Sequence, residues 1–389
     1  MVRFTDARTP APHDGPDESG APGIGNLVQG SAILKDAMMR NVRPDDTGRG
    51  HRDLTLGVLD QSPIRAGWSA GKSIAETVTL AWAAERLGYR RYWVAEHHSS
   101  EAFAGTAPEI LAAHLAAVTS TMRIGTGGVM LNHYAPLKVA ETFRVLEALH
   151  PGRIDLGIGR APGGDGITAC ALGAGHAPLS PDRFPDQVAE LLAFLRDEIP
   201  PGHRFRTVCA QPKGPTAPEP WLLGSSGHGA AQAARFGCSF SFAHFINPVN
   251  GPAAVEEYRR HFRPSVWLAA PRVSVCAFVL CADTEREARR LDLSRELWGL
   301  RIGQGGAGPF PSVEEAERLG IAEHVASTAA GPGARIVGAP EQVRERLVEL
   351  ASRYGVDELL ILTVCFDPAA RLRSYELLAE CVMGRVAAS

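Results

Sequence analysis

The chain has 389 residues, 45% hydrophobic and 21% charged, with a formal net charge of −3. That balance suits a globular protein and gives no electrostatic reason to bind nucleic acid or an anionic membrane. No stretch supplies the ~18 uninterrupted apolar residues of a membrane span, and the N-terminus lacks the basic patch and apolar core of a secretory signal. Seven cysteines without a C-x-x-C spacing argue against a disulfide framework or structural zinc site, and for reduced thiols in the cytoplasm.

The one compositional excess is in glycine and proline, 41 and 28 residues, about 18% against roughly 12% in average usage. Residues 1–50 hold many of them, with Phe4 as their one aromatic residue and no sustained apolar period. Such a segment cannot bury enough surface to offset its ordering entropy, so a disordered extension is expected there, followed by one domain over residues 51–389.

From Leu54 onward apolar runs alternate with helical periodicity. Strands are expected at 54–59, 92–96, 122–130, 154–159, 221–224, 238–243, 272–281 and 358–364, with helices between and after them. Eight strand–helix units over about 340 residues describe an α/β fold, a (β/α)8 TIM barrel with insertions. An open doubly wound sheet would place a phosphate fingerprint after its first strand, and Leu59-Asp-Gln-Ser-Pro63 is not one. Two stretches, 160–181 and 299–338, exceed ordinary connections and read as binding loops, a lid, or mobile filler.

A barrel of this kind keeps its active site at the C-terminal ends of the strands. The fifth expected strand ends in Gly224-Ser-Ser-Gly-His-Gly229 and leads straight into a helix, so Ser225, Ser226, Gly227, His228 and Gly229 present free N–H groups and a helix dipole to an anion. Arg160, one strand earlier, can supply a bidentate phosphate contact. A capped helix with a glycine-rich turn is the plainer reading. After the second strand come Glu96, His97 and His98. Adjacent residues of a strand point to opposite faces, so the two histidines do not readily share a metal. One imidazole facing the mouth as acid/base fits better, with a histidine satisfied by Glu96 or a carbonyl as the alternative. Gly127 and Gly128 fall inside a strand that should be buried, which marks the close approach of a flat ligand, or else a bulge.

Taken in order, Arg91-Tyr-Trp-Val-Ala-Glu-His-His98, Gly125-Thr-Gly-Gly-Val-Met-Leu131, Leu149-His-Pro-Gly-Arg-Ile-Asp-Leu-Gly-Ile-Gly-Arg160, Gly224-Ser-Ser-Gly-His-Gly229 and Ile336-Val-Gly-Ala-Pro-Glu-Gln342 resemble the bacterial luciferase-like flavin monooxygenase family. Val58-Leu-Asp-Gln-Ser-Pro63 is similar to the first strand of its single-chain bacterial branch. The resemblance implies reduced FMN, delivered by a separate flavin reductase, and molecular oxygen as co-substrate in a paired-donor monooxygenation of a largely apolar small molecule. It makes His97 the catalytic histidine, Gly127–Gly128 a cis-linked pair beneath the flavin ring, and Arg160 with residues 225–229 the phosphate site. It also implies a mobile loop near 299–335 and a homodimer. Where the luciferase has a reactive cysteine just before the matching arginine, this chain has Gly159, so long-chain aldehyde chemistry and light emission are not implied. Deazaflavin-dependent hydride transfer and a non-catalytic flavin-binding protein are the alternatives.

Overall fold

The computed structural model describes residues 54–173, 183–306, 308–323 and 335–385. The extension expected at 1–50 lies outside the described residues. Eight parallel strands close into a barrel: β1 (Thr55–Asp60), β2 (Arg91–Val94), β3 (Arg123–Thr126), β5 (Ile154–Gly159), β6 (Glu219–Gly224), β7 (Ser239–Ala243), β8 (Val273–Cys281) and β10 (Glu358–Leu362). The closing seam pairs β10 with both β8 and β1. This is the TIM barrel that the alternation of strands and helices implies.

The expected strand at 122–130 is interrupted. β3 stops at Thr126, the Gly127–Gly128 peptide is cis, and the chain resumes as the two-residue β4 (Val129–Met130) on the end of β5. A further strand, β9 (Arg335–Gly338), pairs with the last four residues of β8 beyond the barrel proper.

Helices α1 (Ala70–Arg86), α2 (Pro108–Val118), α3 (Pro136–Leu149), α4 (Gly166–Leu172), α5 (Phe184–Arg196), α6 (Gly227–Phe236), α7 (Gly251–His261), α8 (Glu285–Gly303), α9 (Val313–Arg318), α10 (Pro340–Tyr354) and α11 (Pro368–Met383) complete the described chain. Much of the proline excess has a local cause. Pro108, Pro136, Pro185, Pro252, Pro340 and Pro368 stand in the first turn of their helices, where a missing N–H costs no hydrogen bond.

Neither long stretch is wholly irregular. The first contains α4, and α8 runs past Gly299 to Gly303 before α9 and β9 follow. The rest of the lid expected at 299–335, residues 324–334, lies outside the described residues.

Alternate residues of each strand face the lumen. The lowest inward layer is charged. Arg91 pairs with Asp155 and Glu358, Arg123 donates to Asp155 at 2.7 Å, and Arg272, just before β8, donates to Glu219 at 2.7 Å. Burial disfavours the charge on Arg91, yet Asp155 and Glu358 more than offset it and raise its pKa. Above this layer Trp93 meets Trp221 edge to face, with ring centroids 5.2 Å apart. The two indoles seal the barrel, so any cavity must lie above them.

β3 and β5 can approach closely because their inward positions are glycines. A Cβ on Gly157 would stand 1.9 Å from the Thr126 carbonyl oxygen, and one on Gly125 would stand 2.4 Å from that of Asp155. Asp60 has the opposite parity and leaves the lumen. It accepts from Ser62 N at 2.8 Å, Thr77 Oγ1 at 2.8 Å, Tyr92 OH at 2.6 Å and Arg371 at 2.6 Å. Burial works against its charge, but Arg371 and these hydrogen bonds hold its pKa below the usual value. The Leu-Asp-Gln-Ser-Pro run therefore anchors β1 to α1 and α11 and contributes no carboxylate to the mouth.

Candidate active site

A cavity of about 250 Å³ opens above the tryptophans at the C-terminal ends of the strands. Leu59, Trp93, Cys276 and Leu360 form its deep wall, and Gly127 and Gly128 form one side. A Cβ on Gly127 would sit 2.4 Å from Leu59 Cδ1; one on Gly128 would sit 2.6 Å from Leu223 Cδ1. This pair is thus a bare backbone shelf that no side chain could replace without displacing its neighbours.

Gly159, Arg160, Ser225, Ser226, His228 and Gly229, from the ends of β5 and β6, line the same cavity. Ser226 is the N-cap residue of α6, but its hydroxyl makes no capping bond, so the first N–H groups of the helix are not closed by that side chain. The exposed Arg160 side chain makes no ion pair or hydrogen bond among the described residues, although its carbonyl accepts from Asn132 at 2.8 Å. Gly227 has open space where a Cβ would go and does not line the cavity. Gly229 lacks a side chain for a different reason: a Cβ would meet the Gly224 Cα at 3.2 Å, so it lets the helix start close over the strand end. Asn247, after β7, holds this turn by donating to the Ser225 carbonyl at 3.0 Å.

Both histidines follow β2, which ends at Val94, so strand alternation does not apply to them. His98 Nε2 lies 2.7 Å from Glu96 Oε1, and the buried Glu96 also accepts from Tyr134 OH at 2.7 Å and Met130 N at 2.9 Å. Glu96 thereby holds the chain immediately after the glycine shelf. His97 has different surroundings. Its ring stacks on Phe103 with centroids 4.3 Å apart, and its Nδ1 is buried without a partner. Burial, reinforced by His98, lowers its pKa to about 4, so the ring is neutral at pH 7. His97 is not among the residues that line the 250 Å³ cavity; it stands at the rim, in an aromatic cluster with Phe103, Trp298 and Phe310.

Reasoning from motifs does not find Phe103, Trp298 and Phe310, nor Phe184, Phe245 and Ile246, which add to the apolar lining of the cavity. Each sits in a segment with no local signature. Only the exposure of Ile246 next to a strand end is unusual, and it becomes visible only in three dimensions.

A bare backbone shelf beside an arginine and a helix start whose N-cap hydroxyl makes no capping bond fits a flat ring system with an anionic tail. A model of the luciferase-like monooxygenase family matches residues 54–358. The chain belongs to the luciferase-like monooxygenase family. This luciferase-like protein is 46% identical to YwcH of Bacillus subtilis over 84% of its own length and 98% of the relative. It is 38% identical to the N-acetyl-S-alkylcysteine monooxygenase of the same organism, over 85% and 98% respectively. The crystal structure of apo-MsnO8 superposes with a TM-score of 0.78 at 39% identity, over 84% of this chain and 98% of that one. Two solved structures share the fold at low identity. One is the oxygenating constituent of 3,6-diketocamphane monooxygenase from Pseudomonas putida in complex with FMN (TM-score 0.61, 21%); the other is an F420-dependent secondary alcohol dehydrogenase with an F420-acetone adduct (0.60, 14%).

Proposed function

We propose that this luciferase-like protein is the oxygenating component of an FMN-dependent two-component monooxygenase. The observation that carries the reading is the cavity itself, which joins the Gly127–Gly128 shelf to the unclosed start of α6 and to Arg160. In this reading the ring system lies on the shelf, and Arg160 with the Ser225–Gly229 turn holds the phosphate. Bound reduced FMN supplies the two electrons by which molecular oxygen is split, one atom going to an organic substrate and the other to water.

The remaining chemistry falls to the chain's own groups. Neutral His97 holds or accepts a proton at its unpartnered Nδ1. The Phe103, Trp298 and Phe310 rings exclude water from that side of the mouth. The apolar wall selects a substrate whose body is largely hydrocarbon.

The same reading includes a separate flavin reductase, a cytoplasmic setting and a homodimer. It is supported by the free state of the described cysteines and by the absence, among the described residues, of a helix long and apolar enough to cross a membrane. Exposed Trp82, Ile110, Val145 and Leu149, on the successive helices α1, α2 and α3, suit a face shared by two copies.

Anaerobic protein titrated with reduced FMN and then mixed with oxygen tests the proposal. Tight binding, followed by a transient absorbance distinct from both reduced and oxidised FMN, is expected. Binding without such a transient identifies a passive flavin carrier. Binding of a reduced deazaflavin in place of FMN identifies hydride transfer.

A further inference from the structure

The mouth of the barrel is crossed by α8. The helix starts just after β8, with Thr284 as its N-cap, and its Trp298 reaches Phe103 in the loop after β2, the ring centroids 5.6 Å apart. Arg295 lies three residues before Trp298 and so shares its helical face. The guanidinium of Arg295 sits over the ring of Phe278, 4.6 Å from its centroid. Phe278 follows Cys276 by two residues on the same face of β8, and Cys276 lines the cavity. Phe278 thus stands one strand repeat, ~7 Å along β8, beyond a residue of the cavity wall, and Arg295 caps its ring; neither side chain is among those that line the cavity.

Arg295 is partly buried and makes no hydrogen bond or ion pair among the described residues. The two carboxylates nearest to it turn toward Arg335. Asp292 Oδ2 accepts from Arg335 at 3.0 Å, and Glu296 Oε1 accepts from the same guanidinium, while Asp292 Oδ1 is buried without a partner. Burial and the charge of Arg335 lower the pKa of Arg295, and the nearby charges of Asp292 and Glu296 offset them only in part. A guanidinium has five N–H donors in a planar fork that matches a carboxylate. Here none of them has a partner among the described residues.

We propose that Arg295 is a specificity-determining residue that binds the carboxylate of an organic acid whose apolar body occupies the cavity. The assignment rests on the cavity being the substrate site of the monooxygenase reading and narrows its substrates to carboxylate-bearing molecules. A cation already withdrawn from water discriminates strongly between an acid and its neutral ester, because little further desolvation accompanies binding.

The test is calorimetric titration of the full-length protein, with and without FMN, using octanoate, phenylpropanoate and N-acetyl-S-benzylcysteine, each beside its methyl ester. At least one acid is expected to bind about tenfold or more tightly than its ester. In Arg295→Met that preference should shrink to about twofold or less, and in Arg295→Lys, which keeps the charge and the stem, it should return in part. FMN affinity should be unchanged in both variants.

Absence of any acid preference in the unaltered protein overturns the proposal, as does a preference that survives in Arg295→Met. A purely internal role would pair Arg295 with Asp292 Oδ1, which is buried without a partner. In that case Arg295→Met would lower stability and leave acid-over-ester discrimination intact, again overturning the proposal. An Arg295-dependent preference in a protein that does not bind FMN would sink the monooxygenase reading alone. FMN binding and turnover without acid preference would sink the carboxylate assignment alone.

Discussion

The two ends of the barrel use similar residues in opposite ways. At the N-terminal end Arg91, Arg123 and Arg272 face Asp155, Glu219 and Glu358, and each guanidinium has a carboxylate partner. At the C-terminal end Arg160 and Arg295 have no such partner among the described residues, Ser226 leaves α6 uncapped by its side chain, and His97 Nδ1 is buried alone. Polar groups that close on one another hold the barrel together. Polar groups left open, from the exposed Arg160 to the buried His97 Nδ1, are available to a ligand.

The largest expected effect comes from breaking the closed end. Asp155→Ala leaves Arg91 and Arg123 short of an acceptor and removes the partner of Trp93 Nε1, which donates to Asp155 at 2.9 Å. A loss of about 3–5 kcal/mol in urea unfolding is expected, because a buried charge is left uncompensated. The folded fraction should still bind FMN.

His97 ranks next, through pH. Its pKa is about 4 in the fold against 6.5 for a free imidazole. The unfolded chain therefore takes up the proton first as pH falls, so stability present above pH 6.5 is lost progressively down to about pH 4. The loss amounts to about 3 kcal/mol. His97→Gln should flatten that part of the stability profile; an unchanged acid slope would show that the ring is not held neutral. The same variant should lower turnover about 10²–10⁴-fold if the ring handles a proton.

Arg160→Met probes the open end. FMN affinity, followed by fluorescence quenching, should fall by about 1.5–3 kcal/mol, while the urea midpoint stays within about 0.5 kcal/mol. Two glycine substitutions sharpen the contrast. Gly157→Ala forces a Cβ against the Thr126 carbonyl and should cost about 1–3 kcal/mol. Gly227→Ala meets open space and should leave stability within about 0.5 kcal/mol.

The barrel was legible in the sequence because parallel strands are covered on both faces and read as continuous apolar runs, as at 154–159 and 358–364. β9 escaped notice because its four residues are only half-buried and it pairs along one edge. The glycine at 299 looks like the end of a helix, yet α8 continues through it and ends only at Gly303. Packing of Leu297 with Ala316 and Ile321, and of Trp298 against Phe103, outweighs the intrinsic helix cost of about 1 kcal/mol for that glycine.

In the candidate site, the glycine shelf and the Ser-Ser-Gly-His-Gly turn were readable because backbone chemistry leaves a compositional trace. Between His97 and His98 the residues alone left the choice open, and only the family resemblance named His97. The convergence of His98, Tyr134 and Met130 on Glu96 joins groups far apart in the chain and is visible only in the tertiary structure.

By itself the sequence determined the eight-unit barrel, the bare glycine pair and the glycine- and serine-rich turn that opens α6, since each follows from local periodicity or from residues with little or no side chain. Only the tertiary structure decided which charges are closed and which are open. Arg91 and Arg295 are the same residue type, one on a buried strand and one on a charged helix, and neither local sequence says which of them is paired. What separates them is whether carboxylates from distant strands arrive within hydrogen-bond reach: Asp155 and Glu358 reach the first, whereas the two beside the second turn instead to Arg335.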